Sequence, residues 1–270
     1  MATNPAAQIA PSVITSIPGI TGDQRFLFDT VGYLHLRGAM AGDEVAESLR
    51  RIDALAGTDL AAFNADRPDG MAKQLNRPFS RILDLDPWFL RFLDHPASCG
   101  FLPEFLGPDY RHIDNDVLYT IPGYPGGGWH RGVSRHDTGH MRGGAFLCPM
   151  VKVFHCLTDV GPGGGAFVVV PGSHKSNVDI PIDRADLPGQ HVFDDVHAGD
   201  FIIFNEAVLH NGTANRSAAT RKTLIVNFGR ADAGVWEGYA PADRTFAAAT
   251  PRQRRILDNR DHAWTEPSIP

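Results

Sequence analysis

Apolar residues recur at two different spacings along this chain, and the change falls near residue 108. In "AGDEVAESLRRIDAL", Val45, Leu49, Ile52 and Leu55 stand three or four apart, the spacing of one helix face. Asp43 is placed to cap that helix, with acids in its first turn. "FLFDTVGYLHLRG" predicts a short helix, a turn at Gly32 and a strand from Tyr33 to Leu36. "SRILDLDPWFLRFLDHPASCGFLPEFLG" predicts two more short helices, with breaks at Asp86-Pro87 and Gly107-Pro108.

Beyond residue 108 the pattern shortens. "VLYTIPG", "MVKVFHCLTDV", "GAFVVVPGS", "HVFDDVHAGDFIIF" and "KTLIVNFG" are runs rich in Val, Ile, Phe and Thr, divided by Gly, Pro and Asp. "VKVFHCLTDV" alternates: Val151, Val153, His155 and Leu157 fall on one face, Lys152, Phe154, Cys156 and Thr158 on the other. Many short strands with turns between them predict a sandwich or barrel rather than a βαβ sheet. The expected fold is mostly β with flanking helices, a double-sheet jelly roll. A loose arm, residues 1–22, precedes a single domain over 23–270. Within it, 23–108 reads as helical, about 109–230 as the jelly roll and 231–270 as C-terminal cover.

Composition narrows the function. The 270 residues are 43% hydrophobic and 21% charged, ordinary for a globular chain, and the net charge of -6 argues against nucleic acid as a partner. No apolar run is long enough to span a membrane, and the N-terminus lacks the basic and apolar regions of a signal peptide. Three scattered cysteines without a Cys-x-x-Cys pair suggest small buried residues in a reducing, cytoplasmic setting.

Of the twelve histidines, His130 and His210 stand out by their company. His130 follows a Gly-rich turn, and His210 lies between "GDFIIF" and "NGTANRS". In chain order, "FDTVGYLHLRGAM", "FLGPDYRH", "IPGYPGGGWHRG", "VKVFHCLTDVGPGGGAFVVVPGSHKSN" and "AGDFIIFNEAVLHNGTANRSAATRKTLIVNF" resemble the phytanoyl-CoA dioxygenase-like branch of the iron(II)- and 2-oxoglutarate-dependent oxygenases. The resemblance implies a double-stranded β-helix (a cupin-like jelly roll) with iron between its sheets. It implies Fe(II) on His130 and His210, and 2-oxoglutarate as cosubstrate with its far carboxylate on Arg221, eleven residues past His210. A guanidinium suits that task because it offers a rigid pair of donors to a carboxylate. Thr223, two residues on and on the same strand face, is a candidate for a further hydrogen bond. The implied activity is oxidation of a C–H bond of a small molecule by O2, in specialised metabolism.

The sequence departs from the family where a third ligand belongs: the pattern His-x-Asp/Glu reads His130-Arg131-Gly132. Another acid reaches the metal, or chloride takes the place as in related halogenases, or the protein is a non-catalytic binding module. For the first, Glu206 and Asp137 are the candidates, and Glu206 is favoured because its turn delivers His210. The literal His112-Ile113-Asp114 is set aside, since it leaves "GWHRG" unexplained. His174 reads as structural, and "GPGGGAF" as a hairpin turn rather than a phosphate loop. Trp129, Arg131, His136 and Asn115 are candidates for the substrate mouth.

Overall fold

The computed structural model describes residues 20–63, 79–133, 141–142, 145–146, 148–176, 180–232 and 240–258. The helices are α1 (Gly22–Val31), α2 (Gly42–Ala54), α3 (Leu60–Phe63), α4 (Ile82–Leu85), α5 (Pro96–Cys99), α6 (Leu102–Leu106), α7 (Asp243–Ala248) and α8 (Pro251–Leu257). The strands are β1 (Tyr33–Leu36), β2 (Phe79–Ser80), β3 (Arg111–Thr120), β4 (Met141–Arg142), β5 (Ala145–Phe146), β6 (Met150–Cys156), β7 (Phe167–Val169), β8 (His191–Phe193), β9 (Phe201–Asn205), β10 (His210–Gly212) and β11 (Arg221–Gly229). They form a six-stranded sheet in the order β1-β9-β6-β11-β3-β2, a three-stranded sheet β10-β7-β8 and a small β4-β5 ribbon. The helical segment thus also supplies both edges of the large sheet, β1 and β2.

Alternation along the strands divides the apolar residues between two cores. On the outer face, Val151, Val153, Leu224, Val226 and Phe228 pack with Phe28, Ile52, Phe89, Phe92 and Phe101 of the helical layer. On the inner face, Phe154, Cys156, Ile202, Phe204 and Ile225 meet Phe167, Val169 and Phe193 of the small sheet. Burying each such side chain stabilises the fold by about 1.5–3 kcal/mol. β6 is buried along both faces, so its two polar members need partners. His155 donates from Nδ1 to Leu224 O at 3.1 Å, between the rings of Phe92 and Phe201, and burial pushes its pKa down to about 3. Lys152 is taken up below.

Some local expectations change. Asp43 is not the cap of α2; Ala41 is, without a side-chain bond, and Asp43 lies in the first turn. The segment after residue 80 breaks into more pieces than two: α4, a 3-10 turn over Pro87–Leu93, α5 and α6, because His95-Pro96 adds a third break. The "GPGGG" turn closes with Gly164 N donating to Gly161 O at 3.0 Å, but it joins β6 and β7 of different sheets and makes no hairpin. His174 has the expected structural place, donating from Nε2 to Asp29 O at 3.0 Å and so tying the end of α1 to the turn after β7. Residues 1–19, Asp137 and His136 lie outside the described residues. No helix among the described residues is long and apolar enough to cross a membrane.

Cys148 and Cys156 are buried and Cys99 is half-buried, none in a disulfide. Burial pushes the Cys156 thiol up to about 12 and raises Cys148 as well. Since the thiolate is the reactive form, a single cysteine is expected to react promptly with a disulfide reagent in the native state, and all three on unfolding. A substitution of Cys99 that left the rapid phase intact would contradict this.

Candidate active site

His210 is placed by a short turn between β9 and β10. Asn205 Oδ1 accepts from Ala207 N at 2.9 Å, Val208 N donates to Asn205 O at 2.9 Å, and Leu209 N donates to Ser173 Oγ at 2.8 Å. The segment "GYPGGGWHRG" runs alongside that turn and β10. Gly127 N donates to Gly212 O at 2.8 Å and Gly132 N to Glu206 O at 2.9 Å. His130 and His210 exchange both backbone bonds at 3.0 Å. This pairing brings the two imidazoles together, with ring centroids 4.3 Å apart.

Each ring is oriented by a backbone carbonyl two residues earlier. His130 Nδ1 bonds Gly128 O at 2.8 Å, and His210 Nδ1 bonds Val208 O at 2.8 Å. A carbonyl accepts only, so each Nδ1 carries the proton and each Nε2 keeps a lone pair, the arrangement of a metal-binding imidazole. His210 is buried beside Phe204 and Phe167, and burial pushes its pKa down to about 3, keeping it neutral.

Glu206 joins this pair. It is 0% exposed, with Oε2 3.9 Å from His210 Nε2 and Oε1 in an ion pair with Lys152 Nζ. Burial opposes its charge, but the Lys152 ammonium outweighs that and holds the carboxyl below its usual range. Its position depends on Gly132. A Cβ added there would lie nearer to Glu206 Oε2 than a C–C bond is long, and 3.3 Å from Glu206 Cγ.

Two imidazole nitrogens and a carboxylate are a donor set for divalent iron. Donors about 2.1 Å from one ion lie at most about 4.2 Å apart, and about 3 Å when at right angles. The 3.9 Å between Glu206 and His210 is within that span but wider than a right-angled pair. Among the described residues no group of three His, Cys, Asp or Glu side chains stands close enough together to hold a metal ion as placed. The donors' types and free lone pairs fit iron.

Arg221 opens β11 at the same end of the lumen. It is 7% exposed, donates from Nη1 to Gly165 O at 2.5 Å, and leaves Nε without a partner. Asn215 holds the preceding loop by donating from Nδ2 to Thr120 O at 2.7 Å and Ala219 O at 2.8 Å. Arg221, His130, His210, Lys152 and Tyr124 line one cavity of about 120 Å³. At about 30 Å³ per water, that holds several waters or one small organic anion.

Other expectations move. Thr223 does not line this cavity. It faces a void of about 10 Å³ behind Arg221, among Phe154, Cys156 and Ile202. Trp129 is buried with Val168, Leu187 and Leu209 and donates to Ala185 O at 3.2 Å. Arg131 donates to Ser173 O at 2.9 Å and to Ala207 O. Asn115 is fully buried and accepts from Leu83 N at 3.0 Å. These three are not mouth residues: Trp129 and Arg131 flank His130 along an extended segment, so they point away from it, and Asn115 lies behind the large sheet. His112 and Asp114 are fully buried on β3 and do not line the cavity. Lys152 is the residue that sequence reasoning missed. Its signal was a lone cation on an otherwise apolar inner strand face.

A double-stranded β-helix with two lone-pair imidazoles and a buried guanidinium at one end defines a class of metal-dependent oxygenases. The family model described as "Phytanoyl-CoA dioxygenase (PhyH)" matches residues 28–223. The chain belongs to that family, and so to the non-haem iron(II)- and 2-oxoglutarate-dependent dioxygenases. It is 25% identical to the ectoine dioxygenase of Nocardia farcinica, over 88% of this chain and 89% of that one. It is 26% identical to dioxygenase aneA of Aspergillus aculeatus, over 58% of this chain and 54% of the other. Its fold is similar to HygX from Streptomyces hygroscopicus, solved with nickel and 2-oxoglutarate bound, with TM-score 0.69, 20% identity, and 82% and 91% of the two chains covered.

Proposed function

We propose that this enzyme oxidises a C–H bond of a small molecule in the cytoplasm, with His130 and His210 holding iron(II) and Arg221 holding the far carboxylate of 2-oxoglutarate. The observation that carries the assignment is one cavity lined by two imidazoles with free Nε2 atoms and by a buried guanidinium with unused donors. When bound, iron(II), 2-oxoglutarate and O2 together supply the oxidising power, the cosubstrate leaving as succinate and CO2. The chain's own residues do the rest. The carbonyls of Gly128 and Val208 hold the imidazoles in the binding tautomer, Arg221 sets the cosubstrate's direction, and Phe154, Phe167 and Ile225 keep the inner wall apolar.

Small-molecule chemistry is supported by the relatives: an ectoine dioxygenase in sequence, and in fold a protein solved with hygromycin B bound. A halide in place of the acid has no support from them, and the room it needs beside Gly132 is filled by Glu206. Purified enzyme given iron(II), 2-oxoglutarate and air is expected to release succinate, and His210→Ala to lower that at least about 100-fold. Equal succinate from the variant would overturn the assignment of His210.

A further inference from the structure

We infer that Glu206 supplies the carboxylate that Gly132 lacks, so the third protein donor to the iron comes from the turn before His210 rather than from the strand of His130. This rests on the iron reading above and deepens it. Three observations carry it. The Glu206 carboxylate occupies the volume in which a side chain at position 132 would start. Its Oε2 is buried, has no hydrogen-bond partner and lies 3.9 Å from His210 Nε2. A buried charged oxygen without a partner is costly unless a ligand satisfies it.

The third observation is how the residue is held. Glu206 N donates to Met150 O at 3.0 Å, and Glu206 O accepts from Gly132 N at 2.9 Å, so its backbone is fixed from both sides. Lys152 pairs with Oε1, while Oε2 is the oxygen beside His210 Nε2. An outer partner of this kind orients a ligating carboxylate, which makes Lys152 a positioning residue. As a purely structural device the pair has little to offer, since an apolar pair of similar volume generally serves a core as well or better.

Binding of Co(II) in place of iron(II), followed by its visible absorption under argon, tests this without turnover. Glu206→Gln is expected to weaken Co(II) by about ten-fold or more, and Gly132→Asp alone to weaken it too, because two carboxylates then compete for one space. Gly132→Asp combined with Glu206→Ala returns the acid from the opposite strand and is expected to recover binding to within about three-fold of wild type. A merely structural Glu206 would show no such recovery. If Glu206→Gln does not fold, Lys152→Met with Glu206→Gln removes the buried ammonium as well and replaces it. Wild-type affinity in either Glu206→Gln variant, or a double variant no better than Glu206→Ala alone, overturns the inference. If His210→Ala still loses the metal in that case, the iron reading stands. Failure of the wild type to bind Co(II) removes both.

Discussion

Gly132→Ala is expected to abolish succinate release and to destabilise the protein by about 3 kcal/mol, the scale for breaking a buried ion pair. Gly132 is not among the residues with positive φ, so its backbone does not require glycine. The added methyl instead overlaps the Glu206 carboxylate. That carboxylate is buried and paired with Lys152, whose own side chain is 6% exposed. Displacing it breaks that buried ion pair and removes the acid from the imidazoles. Chemical denaturation measures the first effect and a succinate assay the second. An alanine variant as stable and active as wild type would mean that Glu206 is free to leave.

Arg221→Met separates ligand binding from stability. The dissociation constant for 2-oxoglutarate is expected to rise at least about 100-fold, since two charge-assisted hydrogen bonds at about 1.5–3 kcal/mol each are lost. The stability of the protein without cosubstrate is expected to move by less than about 1 kcal/mol. Among the described residues no carboxylate pairs with Arg221, and burial depresses its pKa. Relief of that desolvation offsets the lost bond to Gly165 O. Arg221→Lys keeps the charge but not the paired donors, and is expected to fall between. Calorimetric titration of the metal-loaded proteins with 2-oxoglutarate checks the two affinities, and chemical denaturation without cosubstrate checks the stability. Unchanged affinity in Arg221→Met would place the carboxylate elsewhere.

Alternation of residue types alone made the inner and outer faces of β6 legible, and Val153 and Phe154 lie where it puts them. β10 was not legible, because its residues are His-Asn-Gly and carry no apolar period. Its existence depends on the backbones on either side of it. The same limit governed the site. His130, His210 and Arg221 could be named because each sits in a local motif. Glu206 was favoured over Asp137 on a local ground, the turn that delivers His210, but that its carboxylate fills the space beside Gly132 was not legible, since it depends on what a glycine on another segment leaves empty. Thr223 shows the converse: the face was right, but its depth along the lumen is set by how β11 passes behind Arg221.

The acceptors that orient His130 and His210 are main-chain carbonyls, of Gly128 and Val208. Every residue type has such a carbonyl, so no side-chain exchange at positions 128 or 208 can delete them. The imidazoles are therefore insulated from drift in their surroundings, provided the strand pairing survives. The acid enjoys no such protection, being set by one lysine side chain and one missing methyl. In a scaffold built this way, mutations that rearrange the site without unfolding it will accumulate around the carboxylate, and the histidine pair will be the part that stays put.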